Sequence, residues 1–358
     1  MNSDRSVTPS TRTRRFRPTA RRLATGLLGL SLVGSAALAS TPAHAVPRPS
    51  RVVGAAVKPC VHHASRPTRW REGADTTPVS ERVRAEVASA IRASSRTAAV
   101  QRTLAGSASD QRTSKAGKIT VPVYLHVIHG KKKNERRIGK HAARRMFRTL
   151  KAGYAGGQNP AAGATSFTFR LRRITVSRNA AWYHAAPYSR ADRQMKSRLH
   201  RGKARTLNIY VNRPRSQGVL LLGFSMFPWQ RAARPRYDGV TISDISLPGG
   251  RARGYNQGDT VIHETGHWLG LLHTFEGGCS DGDGVTDTPA EATASFTCEE
   301  GRNTCLATDP VTGQPVDDGQ PDPIHNFMDY SYDSCMNGFT PGQNARMVAA
   351  FMRYRARR

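Results

Sequence analysis

The chain has 358 residues and a formal net charge of +30, from 55 Lys and Arg against 25 Asp and Glu. This length can hold two domains, and no stretch after the N-terminal region is apolar enough to cross a bilayer, so the composition excludes stable membrane insertion. The charge is uneven, since residues 241–340 carry sixteen acidic residues against three arginines, and the basic remainder contains no recognisable nucleic-acid-binding motif.

The first 45 residues have the parts of a secretory signal peptide. An arginine-rich start is followed by the small, apolar run Leu23–Leu38 and by Ala43-His44-Ala45, which is an A-x-A cleavage site. The apolar run is too short for a good membrane span. Arg14-Arg15 and Arg21-Arg22 leave the twin-arginine export route open beside the general secretory route. We expect a soluble, extracellular mature protein.

Residues 46–116 are interpreted as a propeptide. They are rich in Ala, Arg, Ser and Pro and poor in aromatic residues, so they can bury little surface. Val83, Val87 and Ile91 share one helical face and predict a short helix. The alternative is a flexible arm without a regulatory role.

The pattern becomes that of a folded domain at Lys118. Strands are predicted over Ile119–Ile128, Phe167–Leu171, Leu207–Val211, Leu220–Phe227 and Gly239–Ile242, with apolar alternation in the second of them. Helices are predicted over about 138–152, where apolar residues form a stripe, from near Gln257, and near 341–356. Strands with a backing helix and a second helix fit a sheet sub-domain of α/β type. The region between the last two helices has little regular pattern.

The sequence H-E-T-G-H-W-L-G-L-L-H begins at His263. On a helix, His263 and His267 lie on one face and can hold one ion between them, while Glu264 can take a proton from water bound to that ion. Gly270 can adopt the left-handed conformation that ends a helix and turns His273 towards the same ion. Three neutral imidazoles suit zinc and leave a fourth position open, as in catalytic sites. The alternative is a buried amphipathic helix that carries histidines.

With N-F-M-D-Y-S-Y-D-S-C-M from Asn326 and F-T-P-G-Q from Phe339, this motif resembles the metzincin zinc metallopeptidases, and in particular their cytophagalysin or pappalysin-like branch. The resemblance implies an α+β fold of α/β type, with a twisted, mainly parallel sheet and an active-site helix above the cleft. Residues 117–270 would form the upper sub-domain, and 271–358 a loop-rich, disulfide-stapled lower sub-domain with a terminal helix.

The resemblance also implies a zinc endopeptidase that acts on protein or peptide substrates. Glu264 would be the general base. Met328 would be the Met-turn beneath the imidazoles, although any single Met can be an ordinary core residue. Tyr330 would stabilise the tetrahedral intermediate. The strand Leu220–Pro228 would form the upper rim of the cleft and hold substrate by backbone pairing, with a plain core strand as the alternative.

Five cysteines in an exported chain leave one over. The sequence alone permits three pairings of the four C-terminal cysteines, and the resemblance implies Cys279–Cys305 and Cys298–Cys335. Cys60 lies in the predicted propeptide, where its thiolate could occupy the open zinc position and keep the enzyme latent. The alternatives are a spare thiol or an intermolecular bridge.

Two further sites are predicted. Asp283, Asp287 and Thr288 lie in an acidic, glycine-rich loop and could offer calcium hard oxygen ligands, with a solvated turn as the alternative. Asp333 follows Met328 in the segment that walls the pocket for the residue after the cut in similar enzymes. A carboxylate there would favour Arg or Lys; the alternative is an Asp that caps a turn.

Three other functions compete with a peptidase. A catalytically silent binding protein on the same scaffold is disfavoured because the base Glu264 is intact. A zinc hydrolase of non-peptide amides is not excluded by any residue, but a peptide-holding rim strand favours peptides. A nucleic-acid partner is not expected in an exported protein, so the basic remainder is interpreted as a solubilising or wall-binding surface. The acidic residues near the zinc motif would concentrate cations.

Overall fold

The computed structural model describes residues 61–63, 118–136, 138–216, 218–308 and 311–356. The predicted signal peptide and the helix expected around Val83 lie outside the described residues. The strands are β1 (Val61–His63), β2 (Ile119–His129), β3 (Phe167–Arg178), β4 (Leu207–Asn212), β5 (Arg215–Ser216), β6 (Val219–Ser225), β7 (Val240–Ser243), β8 (Leu306–Thr308) and β9 (Pro315–Asp317). The α-helices are α1 (Lys140–Tyr154), α2 (Ala180–Tyr183), α3 (Arg190–Leu199), α4 (Thr260–Leu269), α5 (Gly278–Asp281) and α6 (Pro341–Tyr354). Short 3-10 helices cover Lys133–Arg136, Pro160–Ala162, Pro228–Ala233 and Pro235–Tyr237.

The main sheet has the strand order β1-β6-β7-β4-β2-β3, with β5 paired to β6. Strand β2 pairs in parallel with β3 and β4, and β4 pairs in parallel with β7. Strand β6 runs antiparallel to β7 and to β1. The sheet is therefore mainly parallel, which confirms the fold class that the resemblance implied. The rim strand β6 and the arginine-rich strand β3 lie towards opposite sides of it.

The core forms where one face of the sheet meets α1 and α4. Alternate residues of β2 share this face, because side chains in a strand point to opposite sides in turn. The core cluster includes Val121, Val123, Leu125 and Val127 of β2, Met146 and Leu150 of α1, Val261 and Ile262 of α4, and Phe351 of α6. Each of these side chains is at most 1% exposed. Burial of this continuous apolar face fixes α4 against the sheet.

The lower sub-domain contains little regular structure before α6, and two disulfides cross it. They join Cys279 to Cys305 and Cys298 to Cys335, the pairs that the resemblance implied. Such crosslinks typically stabilise a fold by about 2–4 kcal/mol each. The hairpin of β8 and β9 follows Cys305 directly.

A buried arginine ties α6 and the end of the chain to the rest of the domain. Arg355 is 0% exposed, and its guanidinium donates to both carboxylate oxygens of Asp238, at 2.7 and 3.1 Å. Its Nε donates to the carbonyl oxygen of Trp268 at 3.0 Å, and the guanidinium lies 3.6 Å from the centroid of the Trp268 ring. The terminal helix is thus held directly against the C-terminal end of α4.

Most predicted elements are present with small shifts of their ends, but β3 continues well past the predicted end at Leu171, as far as Arg178. Helix α3 was not predicted, because its apolar residues are few among many charged ones. The active-site helix begins at Thr260 rather than near Gln257. Within the described ranges, no helix combines the length and the apolar character needed to span a bilayer.

Candidate active site

The end of α4 brings the three histidines together. Gly270 caps the helix with φ of 105°, a left-handed conformation that side chains other than glycine's rarely adopt. Its amide donates to the carbonyl oxygen of His267 at 2.9 Å. A Cβ at this position would also lie 2.8 Å from the Cβ of Ala350 in α6. The chain therefore turns sharply at Gly270 and returns His273 to the face that carries His263 and His267, as the motif predicts.

The three imidazoles converge through their Nε2 atoms. The Nε2 atom of His267 lies 3.0 Å from that of His263 and 3.1 Å from that of His273. All three side chains are buried, at 0%, 1% and 4% exposure. Nitrogen atoms on two corners of a tetrahedral zinc centre are separated by roughly 3.3 Å when each Zn–N bond is about 2.0–2.1 Å long. The spacing fits one zinc ion held by three ligands.

The opposite nitrogen of each ring fixes the tautomer that a metal requires. The Nδ1 atom of His263 lies 2.7 Å from the carbonyl oxygen of Phe327, and that of His267 lies 2.8 Å from the carbonyl oxygen of Leu271. The Nδ1 atom of His273 lies 2.9 Å from the Glu276 carboxylate. Carbonyl and carboxylate oxygens only accept, so each Nδ1 donates and each Nε2 presents its lone pair to the shared point. Glu276 carries this role without any signal in the sequence that singles it out.

Glu264 is fully buried beside the histidines. Neither of its carboxylate oxygens has a hydrogen-bond partner among the residues that the structure describes. Burial raises the pKa of Glu264 well above its usual range, and the positive charge of Lys196 opposes this shift. Lys196 is itself buried, paired with Asp192 at 3.2 Å and 4.4 Å from the centroid of the Phe224 ring. No pattern in the sequence connects this lysine of α3 with the site.

Gly223 of β6 makes room for the Glu264 side chain. The Oε1 atom of Glu264 lies 2.7 Å, and its Cγ 2.8 Å, from the point where a Cβ on Gly223 would stand. Real Cβ atoms do not tolerate such distances, so any larger residue here would displace the glutamate. Glycine inside a strand is unfavourable and often marks the close approach of another group. That signal was present in the predicted strand Leu220–Phe227, but it did not indicate what approaches.

Met328 packs against the active-site helix α4, and Tyr330 packs against two of the histidines, His263 and His273. Met328 is 0% exposed, and its sulfur lies in the space that a Cβ on Gly266 of α4 would need. The hydroxyl of Tyr330 lies 3.1 Å from the Nε2 atom of His273. Met328 thus lies beside the helix that carries His263 and His267, and the Tyr330 hydroxyl lies close to the third ligand, His273. Their roles as the Met-turn and as the oxyanion-stabilising tyrosine stay predictions.

Asp333 holds the start of the active-site helix. Its Oδ2 atom accepts the backbone N–H groups of Gln257 and Gly258 at 2.7 and 2.9 Å, and its side chain is 4% exposed. Burial raises the pKa of this carboxyl to about 6, against the effect of these hydrogen bonds. The geometry matches the capping alternative for Asp333. Its second oxygen, Oδ1, is buried and has no partner among the described residues.

The acidic loop after the zinc motif is hydrogen-bonded to the N-terminal region of helix α6. Asp287 accepts hydrogen bonds from the Thr340 hydroxyl and the Gly342 amide, both at 2.7 Å, at the N-terminus of α6. Asp283 accepts from the Val285 amide at 2.8 Å. Its backbone carbonyl is bonded to the guanidinium of Arg346. The hydroxyl of Thr288 lies 3.5 Å from that of Thr340. The three predicted calcium ligands thus contribute to the attachment of α6.

Strand β1 occupies part of the outer edge of β6. Val61 pairs with Phe224, and His62 pairs with Gly223, in antiparallel register. This backbone belongs to the predicted propeptide and crosses β6 at the glycine that faces Glu264. Cys60 immediately precedes it and lies outside the described residues.

Comparisons with known proteins agree with this site. Residues 203–352 match the model of a peptidase family described as pregnancy-associated plasma protein-A. An extracellular metalloprotease of Pyricularia oryzae is 36% identical over 241 residues, which cover 66% of this chain and 77% of that protein.

Two solved structures from Tannerella forsythia are also similar. Mature mirolysin, solved in complex with a cleaved peptide, is 28% identical with a TM-score of 0.52, and the match covers 67% of this chain and 93% of that one. A promirolysin mutant is 26% identical with a TM-score of 0.53, over 73% and 91% of the two chains. With the histidine geometry described above, these matches show that the chain belongs to the pappalysin-like family of zinc metallopeptidases.

Proposed function

We propose that this zinc metallopeptidase is a secreted endopeptidase in which Glu264 is the general base and residues 46–116 keep the zymogen latent. The observation that carries the proposal is the convergence of three Nε2 atoms next to a buried carboxylate without a hydrogen-bond partner among the described residues. The names of the extracellular relatives and the predicted signal peptide at residues 1–45 support export.

The residues of the chain divide the reaction between them. Zinc held by His263, His267 and His273 would lower the pKa of its bound water towards about 7 and polarise the scissile carbonyl. Glu264 accepts the proton of the attacking water on a carboxylate oxygen and then passes it to the leaving amine. The hydroxyl of Tyr330 donates to the developing oxyanion of the substrate, a contact whose counterparts elsewhere contribute about 3 kcal/mol.

A silent binding protein and a hydrolase of non-peptide amides are the weaker alternatives. The intact Glu264 argues against the first. Strand β6 pairs with the extended segment β1 through its backbone, and an edge that holds such a segment favours a peptide over other amides. Calcium binding by Asp283, Asp287 and Thr288 stays a prediction; the two carboxylates accept hydrogen bonds from the protein and have further lone pairs for a cation.

Replacement of the base tests the mechanism. The Glu264→Ala variant should bind zinc as the wild type does and lose casein cleavage by at least about 100-fold, because general acid–base catalysis typically contributes this much or more. Zinc analysis and cleavage assays with and without a chelator measure both. Glu299→Ala, at an exposed glutamate, is the control. Ordinary turnover by metal-replete Glu264→Ala would refute the assignment.

Gly223 offers a substitution that should spare the fold. The Gly223→Ala variant can keep its strand conformation, but the new Cβ displaces Glu264, so we expect normal zinc content and a kcat lower by about tenfold or more. Gly139→Ala is the matched control, because a Cβ there has no neighbour within 4 Å. The shorter Glu264→Asp should cost less activity in the Gly223→Ala background than in the wild type. Independent, additive effects of the two changes would contradict the steric argument.

Latency is proposed to depend on both the propeptide strand and Cys60. The pairing of β1 with β6 supports this, because the same strand edge would hold substrate. Removal of residues 46–116 should raise peptide cleavage strongly. Cys60→Ala in the full-length zymogen should also raise it, whereas the neighbouring Ser65→Ala should not. If Cys60→Ala leaves the zymogen as silent as the wild type, the thiol is not the latency switch.

We further propose that the enzyme prefers Arg or Lys at the residue after the scissile bond. The support for this preference is the Oδ1 atom of Asp333, which has no hydrogen-bond partner among the described residues because the helix-capping hydrogen bonds all go to Oδ2. Cleavage of a peptide library by the mature enzyme should then show basic residues after the scissile bond, and Asp333→Asn should reduce that preference. A wild-type preference for large apolar residues would leave Asp333 with its helix-capping role alone.

A further inference from the structure

The larger part of the upper sub-domain, residues 118–240, has no exposed acidic side chain. Residues 118–240 contain 27 Lys and Arg but only three acidic residues, Glu135, Asp192 and Asp238. These three are buried, at 9%, 1% and 1% exposure. The exposed arginines of this part therefore have no neighbouring surface carboxylate from residues 118–240 to neutralise them. Such a surface attracts anions over the range of the Debye length, about 8 Å at physiological salt.

An irregularity in β3 gathers part of this charge at one place. Val123 of β2 pairs with Leu171, but Tyr124 pairs with Arg173, so Arg172 is an extra residue in β3. Successive side chains of a regular strand point to opposite faces, and a bulge changes that alternation. Arg172 and Arg173 are both exposed and line the same depression of about 480 Å³. We name this depression the arginine cleft; its lining is Tyr124, Leu171, Arg172, Arg173, Thr175 and Arg201.

The wall of the arginine cleft is fixed from behind by buried hydrogen bonds. His126 is 1% exposed; its Nδ1 atom lies 2.8 Å from the Thr175 hydroxyl and its Nε2 atom 3.1 Å from Oδ1 of Asn208. Burial lowers the pKa of His126 to about 4, so the ring is neutral at physiological pH. The side chain of Asn208 in turn bonds the backbone amide and carbonyl of Arg201, both at 2.9 Å. Both sides of the cleft are thereby joined through one network.

Arg201 is also held in place, by neutral backbone acceptors rather than by a carboxylate. Its guanidinium donates to the backbone carbonyls of Arg198, Leu199 and His200, at 3.0, 3.1 and 2.9 Å. These neutral carbonyls lie at the C-terminal end of α3 and orient the side chain, whereas a carboxylate would cancel its charge. A charged donor that is fixed before binding loses less entropy when a ligand arrives.

We propose that the arginine cleft binds the phosphate groups of an extracellular poly(glycerol phosphate) chain, and so holds the exported enzyme on a cell envelope. Guanidinium groups match phosphate oxygens in charge and in bidentate geometry. Tyr124 and Leu171 add apolar atoms to the lining beside the arginines, which suits the carbon backbone between two phosphates. Apart from Arg201, the cleft is lined by β2 and β3, and the rim strand β6 lies beyond β4 and β7 in the same sheet. A bound polymer would therefore leave the peptide cleft open.

The test compares two pairs of arginines on the same strand. The wild-type holoenzyme should bind poly(glycerol phosphate) oligomers in titration calorimetry, and Arg172→Gln with Arg173→Gln should weaken that binding by about tenfold or more, the loss expected for hydrogen bonds to charged groups. Arg170→Gln with Arg178→Gln removes the same charge from β3 outside the cleft lining, and should change binding by less than about twofold. Peptide cleavage should be unchanged in both variants.

Several outcomes would overturn the proposal. Equal weakening by both pairs would show general charge attraction rather than a site. Tighter binding of single-stranded DNA than of poly(glycerol phosphate), lost in the Arg172→Gln and Arg173→Gln variant, would assign the cleft to nucleic acid. Inorganic phosphate is the third ligand to be measured. If it binds as tightly as the polymer, the cleft is a site for the free phosphate ion and not for the chain. Because cleavage is measured separately, failure here would not affect the proposed peptidase function.

Discussion

The active site depends on the hydrogen bonds made by the metal-distant nitrogens of its three histidines. Each ring can present Nε2 to a common point only because its Nδ1 proton is donated to an oxygen, and those oxygens come from three different places: Phe327, Leu271 and Glu276. Only His263 and His267 lie on α4; the left-handed Gly270 supplies the turn for the third ligand. The lower sub-domain is therefore part of the metal centre, since it supplies His273 and the acceptors that orient all three rings.

A lower sub-domain with little regular structure needs attachments that do not come from a core of its own. The two disulfides crosslink its loops, while Asp287 and Asp333 use their carboxylates to hold the N-termini of α6 and α4. Arg355 closes the arrangement by joining α6 to the end of α4. Arg355 is also paired with the buried Asp238. Loss of one partner of such a buried ion pair typically costs about 3–5 kcal/mol, because the other charge stays buried without compensation. The geometry of the zinc ligands thus depends on the disulfides, the helix-capping aspartates and Arg355, which all lie outside the segment 263–273.

The structure agrees with the sequence-based prediction where a feature is determined by residues that are close together in the chain. The spacing from His263 to His273 predicts a helix, its end and a converging third ligand, and the alternation of Phe167, Phe169 and Leu171 predicts the start of β3. The disulfide pairing came only from the resemblance, because loop geometry decides among the three possibilities. The contact of Gly223 with Glu264, the salt bridge of Arg355 with Asp238 and the position of Lys196 depend on residues brought together from distant parts of the chain. No local pattern encodes those contacts, so the sequence could mark Gly223 as unusual without saying why.

The structure also changes the meaning of the uneven charge. The sequence suggests that the sixteen acidic residues of 241–340 form a negative cleft, but eight of those that the structure describes are buried: Asp244, Asp259, Glu264, Asp283, Glu291, Asp322, Asp329 and Asp333. Burial raises the pKa of Glu291 to about 8 and those of Asp283 and Asp329 to about 6, so part of this charge is weakened near neutral pH. The acids serve mainly inside the fold, as acceptors for backbone groups and partners for arginines. The arginines of β3 and α3 face solvent with little to oppose them, and the outer field of the enzyme is more positive than a count of residues suggests.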